Sequence, residues 1–106
     1  MGDVVVPSFP FSDLTQSKRR AALVLADLDG GDLILCQITS QAKSDGDSIP
    51  LSFADFESGG LNHTSWIRPN KLFTADSAIV LYSAGRVRER KRLDAVESLL
   101  AILRRT

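Results

Sequence analysis

The chain holds one cysteine, one methionine, one tryptophan and one histidine in 106 residues. With Cys36 alone there is no intrachain disulfide, and with His63 the only histidine no Cys/His set exists for a structural zinc. No apolar run approaches the roughly 18 residues that a membrane-crossing helix needs. Met1-Gly2-Asp3 lacks the basic start and long apolar stretch of a secretory signal. Also missing are a glycine-rich phosphate loop, a GxSxG elbow and an HExxH helix. These absences set the first expectations: a cytoplasmic protein, one domain over residues 1–106, with no metal and no cofactor.

What is present is ordinary in amount and uneven in placement. Formal charge sums to zero, with 43% hydrophobic and 25% charged residues. Residues 1–65 carry four Lys/Arg against nine Asp/Glu, a net of −5, and residues 66–106 carry nine against four, a net of +5. Two readings follow: the halves pair with one another, or they give a neutral chain a basic patch for phosphates. A chain this short removes about two thirds of its unfolded surface from water, so its core is modest.

Short β-branched and apolar runs mark the strands. Val4-Val5-Val6 is one, and Pro7 and Pro10 after it suit a strand exit or an edge. Ala21 to Ala26 is apolar enough to be buried on both faces. Asp29-Gly30-Gly31-Asp32 then reads as the turn of a hairpin returning through Leu33 to Thr39. Ile49–Phe53, Ser65–Pro69 and Ile79–Tyr82 are further strands, with Gly59-Gly60 as a turn. At the end the period changes. Leu93, Val96, Leu99, Leu100 and Leu103 share an arc of about 120°, the stripe of an amphipathic helix. Short strands followed by one helix imply a mainly β domain, a small barrel with a helix packed on it.

Chemistry has few candidates. Lys18-Arg19-Arg20 is a tight basic cluster, and Arg20 abuts a buried strand, which gives its charge a rigid base for holding a phosphate. Thr39-Ser40 ends a strand, where hydroxyls either satisfy local backbone groups or face a ligand. Cys36 reads as a small core residue, since no basic neighbour favours its thiolate. His63 lies in a polar loop, where an acid–base role is conceivable and solvation is usual. Asp55 and Glu57 read as surface acids on a turn.

Several stretches, in order, resemble the MazF/PemK (Kid) family of toxins. Gly2–Val6 with Pro7–Leu14 is similar to its opening strand and loop. Ser17–Leu25 is similar to its Arg-Pro-Ala-hydrophobic strand, and Cys36–Ser40 to its strand ending in Thr-Ser or Thr-Thr. Gly60-Leu61, Ser65–Phe73 and Gly85-Arg86-Val87 continue the likeness over nearly the whole chain. The resemblance implies an SH3-like small barrel with a C-terminal helix, a homodimer, and neutralisation by a cognate antitoxin. It also implies metal-independent cleavage of single-stranded RNA by attack of a ribose 2′-OH, leaving a 2′,3′-cyclic phosphate and a 5′-hydroxyl.

By motif match, the catalytic pair falls on Arg20 and Thr39. The candidate RNA contacts are Lys18, Arg19, Ser40, Arg68 and Asn70. An arginine fork suits phosphate oxygens but stays protonated, so it is a poor general base. Which group takes the proton is open. Two positions depart from the family. Ala21 stands where proline usually follows the key arginine, which restores a backbone N–H and releases φ. Asn70 stands where some relatives have Asp, and an amide does not act as a base. The alternative on the same fold is a non-catalytic protein, either of the gyrase-poisoning type or one that only binds its antitoxin.

Overall fold

The computed structural model describes residues 1–8, 20–41 and 45–105. Seven strands come in the order β1 (Asp3–Pro7), β2 (Ala22–Asp27), β3 (Asp32–Thr39), β4 (Ile49–Leu51), β5 (Phe56–Gly59), β6 (Ser65–Asp76) and β7 (Val80–Val87). The helix α1 (Glu89–Leu103) closes the chain. All seven strands form one antiparallel sheet, ordered β4-β6-β3-β2-β1-β7-β5. The sheet curls into a half-barrel carrying one C-terminal helix, the mainly β architecture expected from the sequence. No helix among the described residues is long and apolar enough to cross a membrane.

The double-sided burial of AALVLA explains the layering. Leu23 and Leu25 face one core with Cys36, Ile38 and Ile67, on the side where Ala95, Val96 and Leu99 of α1 pack. Ala22 and Val24 face a second core with Val5, Leu33 and Leu35, flanked by Phe73, Ala75 and Val80. Full burial of a side chain such as Leu23 or Ile67, both inaccessible to solvent, contributes about 1.5–3 kcal/mol.

The prolines sit where the ladder tolerates them. β1 is a central strand, and Pro7 is its last residue, beyond a register shift against β7. Pro50 lies on the edge strand β4. Pro69 falls in a bulge, since Gln37 pairs with Arg68 while Cys36 pairs with Leu72. Three residues of β6 thus have no partner on β3, and a missing N–H costs little there.

Several elements differ from the sequence reading. β5 was not anticipated, and β6 and β7 run on well past the expected Ser65–Pro69 and Ile79–Tyr82. The helix is present, but its apolar stripe is rotated: Leu93 is 42% and Leu103 66% exposed, while Ala95 is fully buried. Two long cations take the inner arc instead. The Lys91 side chain, 17% exposed, donates to the Pro50 carbonyl at 3.2 Å and pairs with Asp55 at 3.5 Å. Arg92, 12% exposed, donates to the Leu25 carbonyl at 3.2 Å and grips Glu89 with two bonds of 2.8 and 2.7 Å. Their stems cover the sheet while their heads tie α1 to backbone on β2 and β4.

The two oppositely charged halves pair with one another. Asp3 meets Arg86 at 3.1 Å, Asp45 meets Arg68 at 3.5 Å, Asp55 meets Lys91, and Asp47 meets Arg105. The Asp3–Arg86 pair, the most exposed of these, contributes about 1 kcal/mol or less.

Candidate active site

The open end of the β2–β3 hairpin builds the site. Ala22 pairs with Gln37, and the Ile38 N–H donates to the Ala21 carbonyl at 2.9 Å. Continued by one residue, that antiparallel register sets Arg20 opposite Thr39. The two expected catalytic residues, 19 apart in sequence, therefore reach the same place through the most local pairing an antiparallel sheet offers. A cleft of about 290 Å³ opens there, and Arg20, Thr39 and Ser40 all line it.

Other elements complete its walls. Leu61, Asn62 and His63 come from the loop between β5 and β6, and Ser65 is the first residue of β6. Tyr82 arrives from β7 because Val6 of β1, which also lines the cleft, pairs with it. The loop is fastened at both ends. Gly60 N–H donates to the Ala84 carbonyl at 3.1 Å, and the buried Ser65 hydroxyl donates to the His63 carbonyl at 3.0 Å. Thr39 is 6% exposed, and its Oγ1 accepts from Gln41 N–H at 3.2 Å. The hydroxyl thus satisfies local backbone, which also holds it still, and its proton remains available to a ligand.

The electrostatics are one-sided. Among the described residues lining the cleft there is no carboxylate; the side chains able to carry positive charge are Arg20 and His63. Arg20 is half-buried, and among the described residues it has neither an ion pair nor a side-chain hydrogen bond. By contrast Arg68, Arg86, Arg90, Arg92 and Arg105 each face a carboxylate. A supported guanidinium without an internal anion is a standing site for an external one.

The remaining expected contacts lie elsewhere. Arg68 and Asn70 stand on β6, and neither lines the cleft. Arg68 is turned to Asp45, whose carboxyl is held below the usual carboxylate range by the N–H groups of Ser48 and Asp47, then by the Ser48 hydroxyl and Arg68. Lys18 and Arg19 fall outside the described residues. Tyr82, Asn62 and Gln41 were not singled out from the sequence, because only the tertiary pairing carries them to the hairpin end.

Cys36 is inert by position. It is fully buried, and burial pushes its thiol up to about 12. A thiol is reactive only as thiolate. Titration with a thiol reagent at pH 8 is expected to leave native protein unmodified and to label one thiol after denaturation. Rapid labelling of the folded protein would contradict the burial. Among the described residues no group of three or more His, Cys, Asp or Glu side chains is placed to hold a metal ion.

The family described as PemK-like, MazF-like toxin of type II toxin-antitoxin system matches residues 1–103. The chain belongs to this family. No curated protein sequence matches it. Among solved structures, the Mycobacterium tuberculosis toxin MazF-mt6 is similar at a TM-score of 0.73 and 14% identity, covering 95% of each chain. The MazE–MazF structure from Deinococcus radiodurans is similar at 0.72 and 18% identity, covering 99% of this chain and 94% of that one. A mycobacterial endoribonuclease in complex with its cognate antitoxin gives 0.68 and 13% identity, covering 96% and 91%. At these identities the likeness carries the fold of this MazF-like chain and not its substrate.

Proposed function

We propose that this toxin-family chain is a metal-independent endoribonuclease that cuts single-stranded RNA by 2′-OH attack and is silenced by a cognate antitoxin. The observation that carries the reading is Arg20: a half-buried cation with no intramolecular partner among the described residues, lining one cleft with Thr39. In transphosphorylation, charge builds on the non-bridging oxygens as phosphorus becomes five-coordinate. Arg20 is placed to neutralise that charge, and Thr39 to donate a hydrogen bond beside it. Ser40, Asn62 and Tyr82 line the same cleft and supply hydrogen bonds and a flat face to the flanking nucleotides. In this reading the positive charge at the phosphate comes from Arg20. Lys18, Arg19, Arg68 and Asn70 remain candidate contacts with the RNA chain, Arg68 and Asn70 from outside the cleft.

The test is incubation of purified protein with mixed-sequence single-stranded RNA in EDTA, alone and after addition of the antitoxin. Cleavage that persists in EDTA and stops with antitoxin is expected. A protein that binds antitoxin and halts growth but leaves every RNA intact would support the non-catalytic reading instead. The homodimer is part of the same proposal, since a core built from 106 residues is small. Light scattering of the free protein at micromolar concentration is expected to give twice the 11.6 kDa chain mass, and a monomer would refute it.

A further inference from the structure

We infer that His63 is the general base of the cleft, the group that takes the 2′-OH proton. This rests on the proposed ribonuclease activity and deepens it, because neither Arg20 nor Thr39 accepts a proton at neutral pH. The side chains lining the cleft are rich in donors: the Arg20 guanidinium and the hydroxyls of Thr39, Ser40, Ser65 and Tyr82. Against these stands, among the described residues lining the cleft, one acceptor of a proton at neutral pH. Imidazole is the side chain whose charge changes between roughly pH 5 and 8, and His63 is the only histidine of the chain.

Its placement also argues against an idle loop residue. His63 is exposed at the mouth of the cleft, where a ribose can reach it, yet its backbone is pinned by the Ser65 hydroxyl at 3.0 Å. Ser65 is itself 4% exposed at the start of β6, so the anchor belongs to the sheet. Among the described residues, the other ionisable groups lining the cleft are Arg20, which precedes β2, and Tyr82 on β7.

The step balances without a further reagent. The 2′-oxygen bonds to phosphorus while its proton passes to a ring nitrogen of His63, and Arg20 holds the charge on the non-bridging oxygens. The P–O5′ bond then breaks, and the 5′-oxygen leaves with a proton drawn from water. The imidazolium returns its proton to solvent and resets the site.

Single-turnover cleavage of one RNA in EDTA, measured across roughly pH 5 to 9, tests this for the wild type, His63→Gln and His63→Ala. The wild-type rate is expected to rise tenfold per pH unit through the imidazole range and then level off. His63→Gln should lose about 10² in rate on the plateau, the low end for a positioned base, and should lose that inflection. Added free imidazole should restore His63→Ala in proportion to its neutral form. A His63→Gln protein that cuts RNA with the wild-type rate and pH profile overturns the inference and leaves the ribonuclease reading standing. A wild type that cuts no RNA overturns both.

Discussion

Arg20→Ala is expected to slow RNA cleavage by about 10²–10³-fold, the scale for removing one preorganised donor aimed at developing charge. The loss should fall on the chemical step, because phosphate charge grows toward the transition state while ground-state binding is shared with other contacts. Arg20→Lys keeps the charge and loses the planar fork, so it should recover only part of the rate. Folding is a clean control. Among the described residues Arg20 has no ion pair to break, so the melting temperature of Arg20→Ala should match the wild type within a few degrees. Single-turnover assays with circular-dichroism melts measure both quantities. A folded Arg20→Ala protein of full activity would remove Arg20 from the chemistry.

The largest effect on stability is expected at Gly59, which pairs with Gly85 where β5 meets β7. Its φ is +67°, and a Cβ there would stand 2.2 Å from the Ala84 carbonyl oxygen and 2.6 Å from the Gly85 Cα. Gly59→Ala therefore meets two penalties, a left-handed backbone of about 1–2 kcal/mol and a strand forced apart at about 1–3 kcal/mol. Each kcal/mol lowers Tm by roughly 4–8 °C in a domain of this size, so a fall of about 8 °C or more is expected. Gly30→Ala separates the two penalties. Its φ is +86° with nothing within 4 Å of the added carbon, so only the backbone cost applies. Equal melting temperatures for the two variants would show that β5 is not held against β7 as described.

The parts of the fold legible in the sequence are those where burial writes itself into composition. Val4–Val6, AALVLA and LILCQIT are apolar because each is packed on both sides, and the Asp29–Asp32 turn is marked by Gly30 and Gly31, both at positive φ. β5 escaped detection because Phe56 is its only buried residue, with Glu57, Ser58 and Gly59 exposed. The far half of β6, Asn70–Asp76, is at most half-buried and lacks the same contrast. The helix was legible as a helix but not in its orientation, since Lys91 and Arg92 show by identity only their charged ends.

For the site, a hairpin and its register suffice to bring Arg20 toward Thr39, so those two were within reach of the sequence. Tyr82 and the Leu61–His63 loop come from β7 and from the β5–β6 connection, and no local pattern marks them. His63 was visible as the only histidine, yet a polar loop gave no reason to seat it in a cleft. The charge asymmetry resolved in part toward pairing: among the described residues Arg68, Arg86, Lys91 and Arg105 of the back half meet acids of the front half, and Arg20, from the acidic half, lines the cleft.

The most direct test of the central claim compares one RNA that the protein cuts with the same oligonucleotide carrying 2′-deoxyribose only at the cleaved nucleotide. Both are incubated in EDTA, and the fragment ends are read by mass spectrometry. The account predicts that the RNA yields a 2′,3′-cyclic phosphate and a 5′-hydroxyl, and that the substituted strand stays intact. Equal cleavage of both strands would contradict it, because the 2′-oxygen would then not be the nucleophile.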